Sequence, residues 1–118
     1  MTRIALLAAG LLATLAFAAP IGATSSVTKL TGTVGPGFTI SLKKAGAPVK
    51  TLKAGSYKIT VSDKSNIHDF HLTGPGVNKM ITTIAFKGTK TVTVKLKKGR
   101  YTFRCDPHPN MVGHFTVK

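Results

Sequence analysis

Residues 52–63, Leu-Lys-Ala-Gly-Ser-Tyr-Lys-Ile-Thr-Val-Ser-Asp, run from a glycine turn into a segment in which apolar and polar side chains alternate. A period of two is typical of a β-strand with one buried side, and it would point Tyr57 and Val61 inward. Residues 96–106, Leu-Lys-Lys-Gly-Arg-Tyr-Thr-Phe-Arg-Cys-Asp, repeat this arrangement. The comparison places Cys105 where the first segment has Val61, on the inward side of its strand.

The same alternation continues along the chain, with frequent Val, Ile and Thr, and no segment has a convincing helical period. Clusters of Gly and Pro separate the alternating segments and suit turns. Together these features predict an all-β sandwich in a single domain. Seven strands are predicted, at Val27–Val34, Phe38–Leu42, Tyr57–Ser62, Ile67–Thr73, Thr91–Leu96, Arg100–Cys105 and His114–Val117.

The N-terminal segment has the pattern of an export signal. Arg3 precedes an apolar run, Ile4–Phe17, that is short for a permanent membrane anchor. Small residues at Ala16 and Ala18 offer one cleavage site, but Pro20 follows closely and favours the alternative site after Ala23. We therefore expect a signal peptide at residues 1–23 and one domain at residues 24–118. No later stretch is apolar and long enough for a membrane helix, so a soluble product in the periplasm or outside the cell is expected.

The chain is strongly basic, with 17 Lys and Arg against 3 Asp and Glu and a net charge of +14. Such an excess favours an acidic partner or association with the cell envelope, although a solvated lysine surface alone would explain it equally well. After the signal only Arg100 and Arg104 are arginines, so the forked side chains that recognise bases are scarce. Nucleic acid is not expected to be a partner.

Cys105 is the single cysteine, so it cannot close an internal disulfide. His108 and Met111 follow it in a Cys-x-x-His-x-x-Met motif. A thiolate, imidazoles and a weak thioether suit a copper ion that cycles between Cu(I) and Cu(II). The second imidazole would come from His68 or His71, and the residues alone leave that choice open. A buried structural cysteine is the alternative for Cys105.

The two segments that contain these residues resemble the ligand loops of the small blue-copper proteins, the cupredoxins, and especially those of plastocyanin and amicyanin. The resemblance implies a Greek-key β-sandwich of about seven to eight strands. It also implies one copper ion bound by His68, Cys105, His108 and Met111, and transfer of single electrons between redox partners by a monomer that is not an enzyme. His71 has the opposite strand parity from His68 and is expected to face away.

Two residues depart from the cupredoxin pattern: Asp69 replaces the Asn that follows the first histidine, and Asp106 replaces the usual Ser or Thr. In the family that Asn ties the two loops together, and whether Asp69 does so is left open by the sequence. Two carboxylates near the metal would favour Cu(II) and lower the reduction potential. Pro107 and Pro109 restrict the loop around His108 and should stiffen it before metal binds.

Two further functions remain open from the sequence. A copper carrier or buffer would use the same ligands but exchange the ion instead of the electron. A basic module that binds anionic surfaces would use the lysines and leave the metal residues incidental. Enzymatic activity is not expected, because no acid–base pair or nucleophile constellation accompanies the three acidic residues.

Overall fold

The alternating segments form ten strands within residues 27–118, the part of the chain that this computed structural model describes. The expected signal peptide at residues 1–23 lies outside the described residues. No helix long and apolar enough to cross a membrane occurs among residues 27–118. The strands are β1 (Thr28–Val34), β2 (Ile40–Lys44), β3 (Ala47–Pro48), β4 (Thr51–Leu52), β5 (Gly55–Asp63), β6 (Phe70–Gly74), β7 (Val77–Thr82), β8 (Gly88–Leu96), β9 (Gly99–Arg104) and β10 (Val112–Val117).

The strands assemble into two five-stranded sheets. The first sheet has the order β3-β2-β1-β5-β8, and the second has the order β4-β10-β9-β6-β7. β1 runs parallel to β5 and β4 runs parallel to β10, whereas the other neighbours are antiparallel. The prediction of an all-β sandwich is confirmed, and eight of the ten strands have five or more residues.

The hydrophobic core lies between the sheets and follows the predicted alternation. Tyr57 and Val61 of β5 are buried, as the period of two predicts. On the opposite sheet the rings of Phe70 and Phe103 stack with centroids 5.8 Å apart, and those of Tyr101 and Phe115 stack at 5.2 Å. The remaining buried apolar residues come from both sheets and from the loop at the metal end; they include Leu30, Val34, Leu42, Leu52, Ile59, Leu72, Ile81, Leu96, Cys105, Met111 and Val117.

All seven predicted strands are present, but three were missed and several bounds differ. β3 and β4 have only two residues each. β7 is an edge strand whose exposed residues Asn78, Lys79 and Met80 follow one another without alternation, so it carries no period-two signal. Met80 in this strand is 38% exposed, so it does not belong to the core.

Candidate metal centre

The first loop of the site lies between β5 and β6 at one end of the sandwich. His68 was predicted inside a strand, but β6 begins only at Phe70, so His68 belongs to the loop before it. The register of β6 against β7 also shifts between Phe70 and His71. His68 is completely buried, and its Nε2 has no hydrogen-bond partner among the described residues.

The second loop connects β9 to β10 and is closed by its own backbone. The N–H of Cys105 donates to the carbonyl of Met111 at 3.0 Å, and the N–H of Met111 donates to the carbonyl of His108 at 2.8 Å. The N–H of His108 in turn donates to the carbonyl of Cys105 at 3.2 Å. These three bonds join the three residues that the motif singled out, so their relative positions are fixed by the main chain.

The two loops bring a thiol and two imidazoles to one point. Cys105 Sγ lies 3.6 Å from His68 Nδ1 and 3.4 Å from His108 Nδ1, and the two Nδ1 atoms are 3.0 Å apart. Within residues 27–118 this is the one group of three or more His, Cys, Asp or Glu side chains with metal-binding spacing. Met111 is also buried, with 1% exposure, and lies in the same loop. His108 is partly exposed, so the cluster reaches the protein surface through its ring.

Asp69 ties the two loops together. Its carboxylate Oδ1 accepts a 2.7 Å hydrogen bond from the backbone N–H of Asp106. Its own backbone N–H points at Cys105 Sγ, 3.5 Å away. The question left by the sequence is thereby answered: the carboxylate of Asp69 bridges the loops, and the main chain beside it donates to sulfur.

Two residues of the β1–β2 loop, Gly35 and Phe38, cover the cluster. The sequence suggested a turn at Gly35 but predicted a strand from Phe38, whereas β2 begins only at Ile40. A Cβ added to Gly35, which has a φ of +74°, would lie 2.9 Å from Cδ2 of the His68 ring. The Phe38 ring packs edge-on against His68 and His108, with centroids 5.6 and 5.0 Å away. Phe38 is itself 61% exposed. No spacing rule links this loop to the ligand motif, which is why the sequence did not reveal it.

His71 lies outside the cluster. Its Nδ1 donates to the carboxylate of Asp106 at 3.0 Å, and its Nε2 contacts the side-chain oxygen of Asn78. Arg104 Nε donates to the same carboxylate at 2.9 Å. His71 therefore braces the residue after Cys105 from outside, as its opposite strand parity suggested. His114 is exposed and bonds Thr102, so it too is separate from the cluster.

The ionisable groups around the sulfur have perturbed pKa values. Burial raises the pKa of the Cys105 thiol, although the N–H of Asp69 acts in the opposite direction. Burial also raises the pKa of Asp69, against the lowering effect of the Asp106 N–H. Burial alone would raise the pKa of Asp106, but hydrogen bonds from His71 and Arg104 lower it below its ordinary value. The carboxyl group of Asp106 is therefore more readily ionised than that of Asp69.

Several solved structures share this architecture, and one of them is described as a copper protein. The copper protein rusticyanin superposes with a TM-score of 0.56 at 19% identity, covering 76% of each chain. Rusticyanin variants give 0.56 at 23% identity with the same coverage. The chain has the cupredoxin fold. A reduced amicyanin variant superposes with a TM-score of 0.49 at 16% identity, over 75% of this chain and 80% of the other. No protein-family model and no curated protein sequence matches the chain.

Proposed function

We propose that the protein binds one copper ion through His68, Cys105, His108 and Met111 and carries single electrons between exported redox partners. The observation that supports this most is the convergence of a buried thiol sulfur and two imidazole Nδ1 atoms within 3.6 Å of one another. Rusticyanin, which has the same fold, is described as a copper protein. The copper centre and its ligands are therefore proposed from donor chemistry together with the fold.

The spacing of the donors fits a metal ion bound at their centre. With metal–nitrogen bonds of about 2.0 Å and a metal–sulfur bond of about 2.3 Å, a trigonal arrangement separates neighbouring donors by about 3.5 to 3.7 Å. The sulfur–nitrogen distances of 3.4 and 3.6 Å agree with this. The 3.0 Å between the Nδ1 atoms of His68 and His108 is shorter than this spacing. Two such nitrogens share a hydrogen bond only if one is protonated, whereas a cation stabilises both lone pairs.

The donor set selects copper over the commoner zinc. A structural zinc site would recruit a further Cys or His, but here the remaining candidate is the thioether of Met111. Thiolate, imidazole and thioether together accommodate both Cu(I) and Cu(II). The copper would thus supply the one-electron chemistry, and the chain would supply the geometry.

The protein's own residues suit electron exchange because they hold the donors in place. Three backbone hydrogen bonds fix Cys105, His108 and Met111 relative to one another, and the Asp69 carboxylate fixes the second loop against the first. A site that keeps the same geometry in both oxidation states loses little energy to rearrangement when the electron moves. His108, partly exposed beside Phe38, would offer the electron a route from the cluster to a partner.

Absorption spectroscopy with added Cu(II) tests the proposal. We expect an intense visible band from thiolate-to-copper charge transfer and a reversible reduction potential, both abolished in Cys105→Ser. His114→Gln serves as the matched control, because His114 is exposed and outside the cluster, and it should retain both signals. A wild-type protein that binds one copper but shows no visible band would contradict the proposal.

Electron carriage and copper carriage are separated by measuring exchange. The buried positions of His68, Cys105 and Met111 predict slow release of the ion together with fast electron self-exchange. Rapid transfer of copper to a soluble chelator, without redox cycling, would instead identify a copper carrier.

A further inference from the structure

The outer face of the first sheet has an unusual composition. Thirteen side chains of β1, β2, β5 and β8 point away from the core, as their burial pattern and register show. Each one is Ser, Thr or Lys, with no apolar and no acidic residue among them. They are Lys29, Thr31, Thr33, Ser41, Lys43, Ser56, Lys58, Thr60, Ser62, Thr89, Thr91, Thr93 and Lys95. We call this set the Thr/Lys face.

The hydroxyl groups of this face form rows across the strands. Thr31 of β1 lies opposite Thr60 of β5, which lies opposite Thr91 of β8. Thr60 Oγ1 and Thr91 Oγ1 are 3.0 Å apart and share a hydrogen bond. Lys29 and Lys58 are likewise direct neighbours across β1 and β5. Side by side, like charges repel, so this pair costs stability unless an anion lies above it.

No acidic side chain lies within the Thr/Lys face. The three acidic residues are Asp63, Asp69 and Asp106, and all three lie at the metal end of the sandwich. Among residues 27–118 the ion pairs found both involve Asp106, and neither includes a lysine. A second copy of the chain would bring the same excess of positive charge. The complementary partner is therefore an external anion.

We infer that the Thr/Lys face is a docking surface for a bilayer containing anionic phospholipids. The lysines are spread in two dimensions over four strands, which suits a planar array of phosphates better than a single linear polyanion. Lysine provides point charges that need no fixed fork geometry, and the hydroxyls between them can donate to phosphate oxygens. None of the thirteen side chains is apolar, and on the edge strand β3 the exposed Pro48 lies opposite Lys43 at the rim of the face. The face would therefore rest on the headgroups without insertion.

This orientation leaves the metal end accessible. β1 and β5 run along the Thr/Lys face and end at Val34 and Asp63, just before the loops that hold Gly35 and His68. His108 is therefore presented at the side of a bilayer-bound molecule instead of against the lipid. The inference does not depend on copper, because the face lies outside the metal cluster.

Vesicle co-sedimentation tests the inference on the full chain. Each lysine near an anionic bilayer strengthens binding roughly fivefold. We therefore expect a quadruple variant with Gln at the four lysines of the Thr/Lys face to bind phosphatidylglycerol–phosphatidylcholine vesicles roughly 100-fold to 1,000-fold more weakly. The substitutions are Lys29→Gln, Lys43→Gln, Lys58→Gln and Lys95→Gln.

A matched control removes the same charge elsewhere. Lys53, Lys79, Lys97 and Lys98 are exposed and outside the face, so their joint replacement by Gln should weaken binding much less. The apolar N-terminal run is common to all three proteins and cancels in the comparison. An equal loss of vesicle binding in the two quadruple variants would overturn the inference, because binding would then depend on the overall charge and not on the position of the lysines. Equal binding of the wild type to neutral and anionic vesicles would overturn it as well. So would capture of soluble linear polyphosphate through the same four lysines without vesicle binding.

Discussion

Gly35→Ala probes the packing of the β1–β2 loop against the buried His68 ring. Gly35 has a φ of +74°, a left-handed conformation that suits glycine, and an added Cβ would come within 2.9 Å of His68 Cδ2. Gly46 offers a matched control, because its φ is +81° and a Cβ there would meet nothing within 4 Å. Both Ala substitutions carry the penalty of a left-handed backbone, to which Pro36 adds a further restriction at position 35 only. They also differ in the contacts of the new Cβ, which meets His68 and Ser65 only at position 35.

The expected energies follow from these two effects. Alanine in a left-handed conformation costs about 1 to 2 kcal/mol relative to glycine, and this is the whole expected loss for Gly46→Ala. Gly35→Ala adds the overpacking of a buried ring, which costs about 1 to 3 kcal/mol. The variant should therefore be less stable than Gly46→Ala by at least that second amount. Because the ring must move, copper affinity should fall and the visible absorption should change in Gly35→Ala only.

Urea unfolding of the metal-free proteins measures the stability difference, and titration with Cu(II) followed by absorption measures the effect on the site. Equal stability losses in Gly35→Ala and Gly46→Ala, with identical copper spectra, would refute the proposed contact. A large stability loss with an unchanged spectrum would show that the loop yields while His68 keeps its position.

Three further predictions concern the charges around Cys105. Asp69→Asn should raise the reduction potential, because it removes a negative charge that favours Cu(II), and voltammetry of wild type and variant measures the shift; an unchanged or lower potential would contradict this. Copper binding should release a proton from Cys105, because burial raises the pKa of the thiol. The affinity for copper, measured by calorimetric titration, should therefore increase with pH. An affinity that does not change with pH would contradict this prediction. Although burial lowers the pKa of His71, its bonds to Asn78 and Asp106 raise it above the ordinary 6.5 overall. The stabilisation by His71 is therefore complete below pH 6.5 and is lost as pH rises through the higher folded-state value. The advantage of wild type over His71→Gln, about 0.5 to 1 kcal/mol, should thus be larger at about pH 6 than at about pH 8, and a constant difference would argue against it.

Much of the fold could be predicted from the sequence because most strands have one buried side. The alternation in β5 and β9 gives both the strand positions and the inward direction of residues such as Tyr57 and Phe103. β7 was not predicted, because this edge strand exposes successive residues and so lacks the period of two. The start of β6 was misplaced because Ile67, His68 and Asp69 belong to a loop whose conformation depends on tertiary contacts.

The candidate site also has a part that the sequence predicts and a part that it does not. The spacing of Cys105, His108 and Met111 puts them in one short loop, so a local motif suffices to find them. The structure brings His68 beside them, while the role of all four as ligands stays a prediction. The covering residues Gly35 and Phe38 come from a third loop, and their contact with the histidines depends on how β1 and β2 pack. Sequence spacing carries no information about such a contact.

X-ray absorption at the copper edge measures the central claim most directly. The Cu(II)-loaded protein should show one short sulfur contact, from Cys105, and two nitrogen contacts, from His68 and His108, and the sulfur contribution should disappear in Cys105→Ser. A copper ion surrounded only by nitrogen and oxygen, with Cys105 still reduced and free, would contradict the proposed centre.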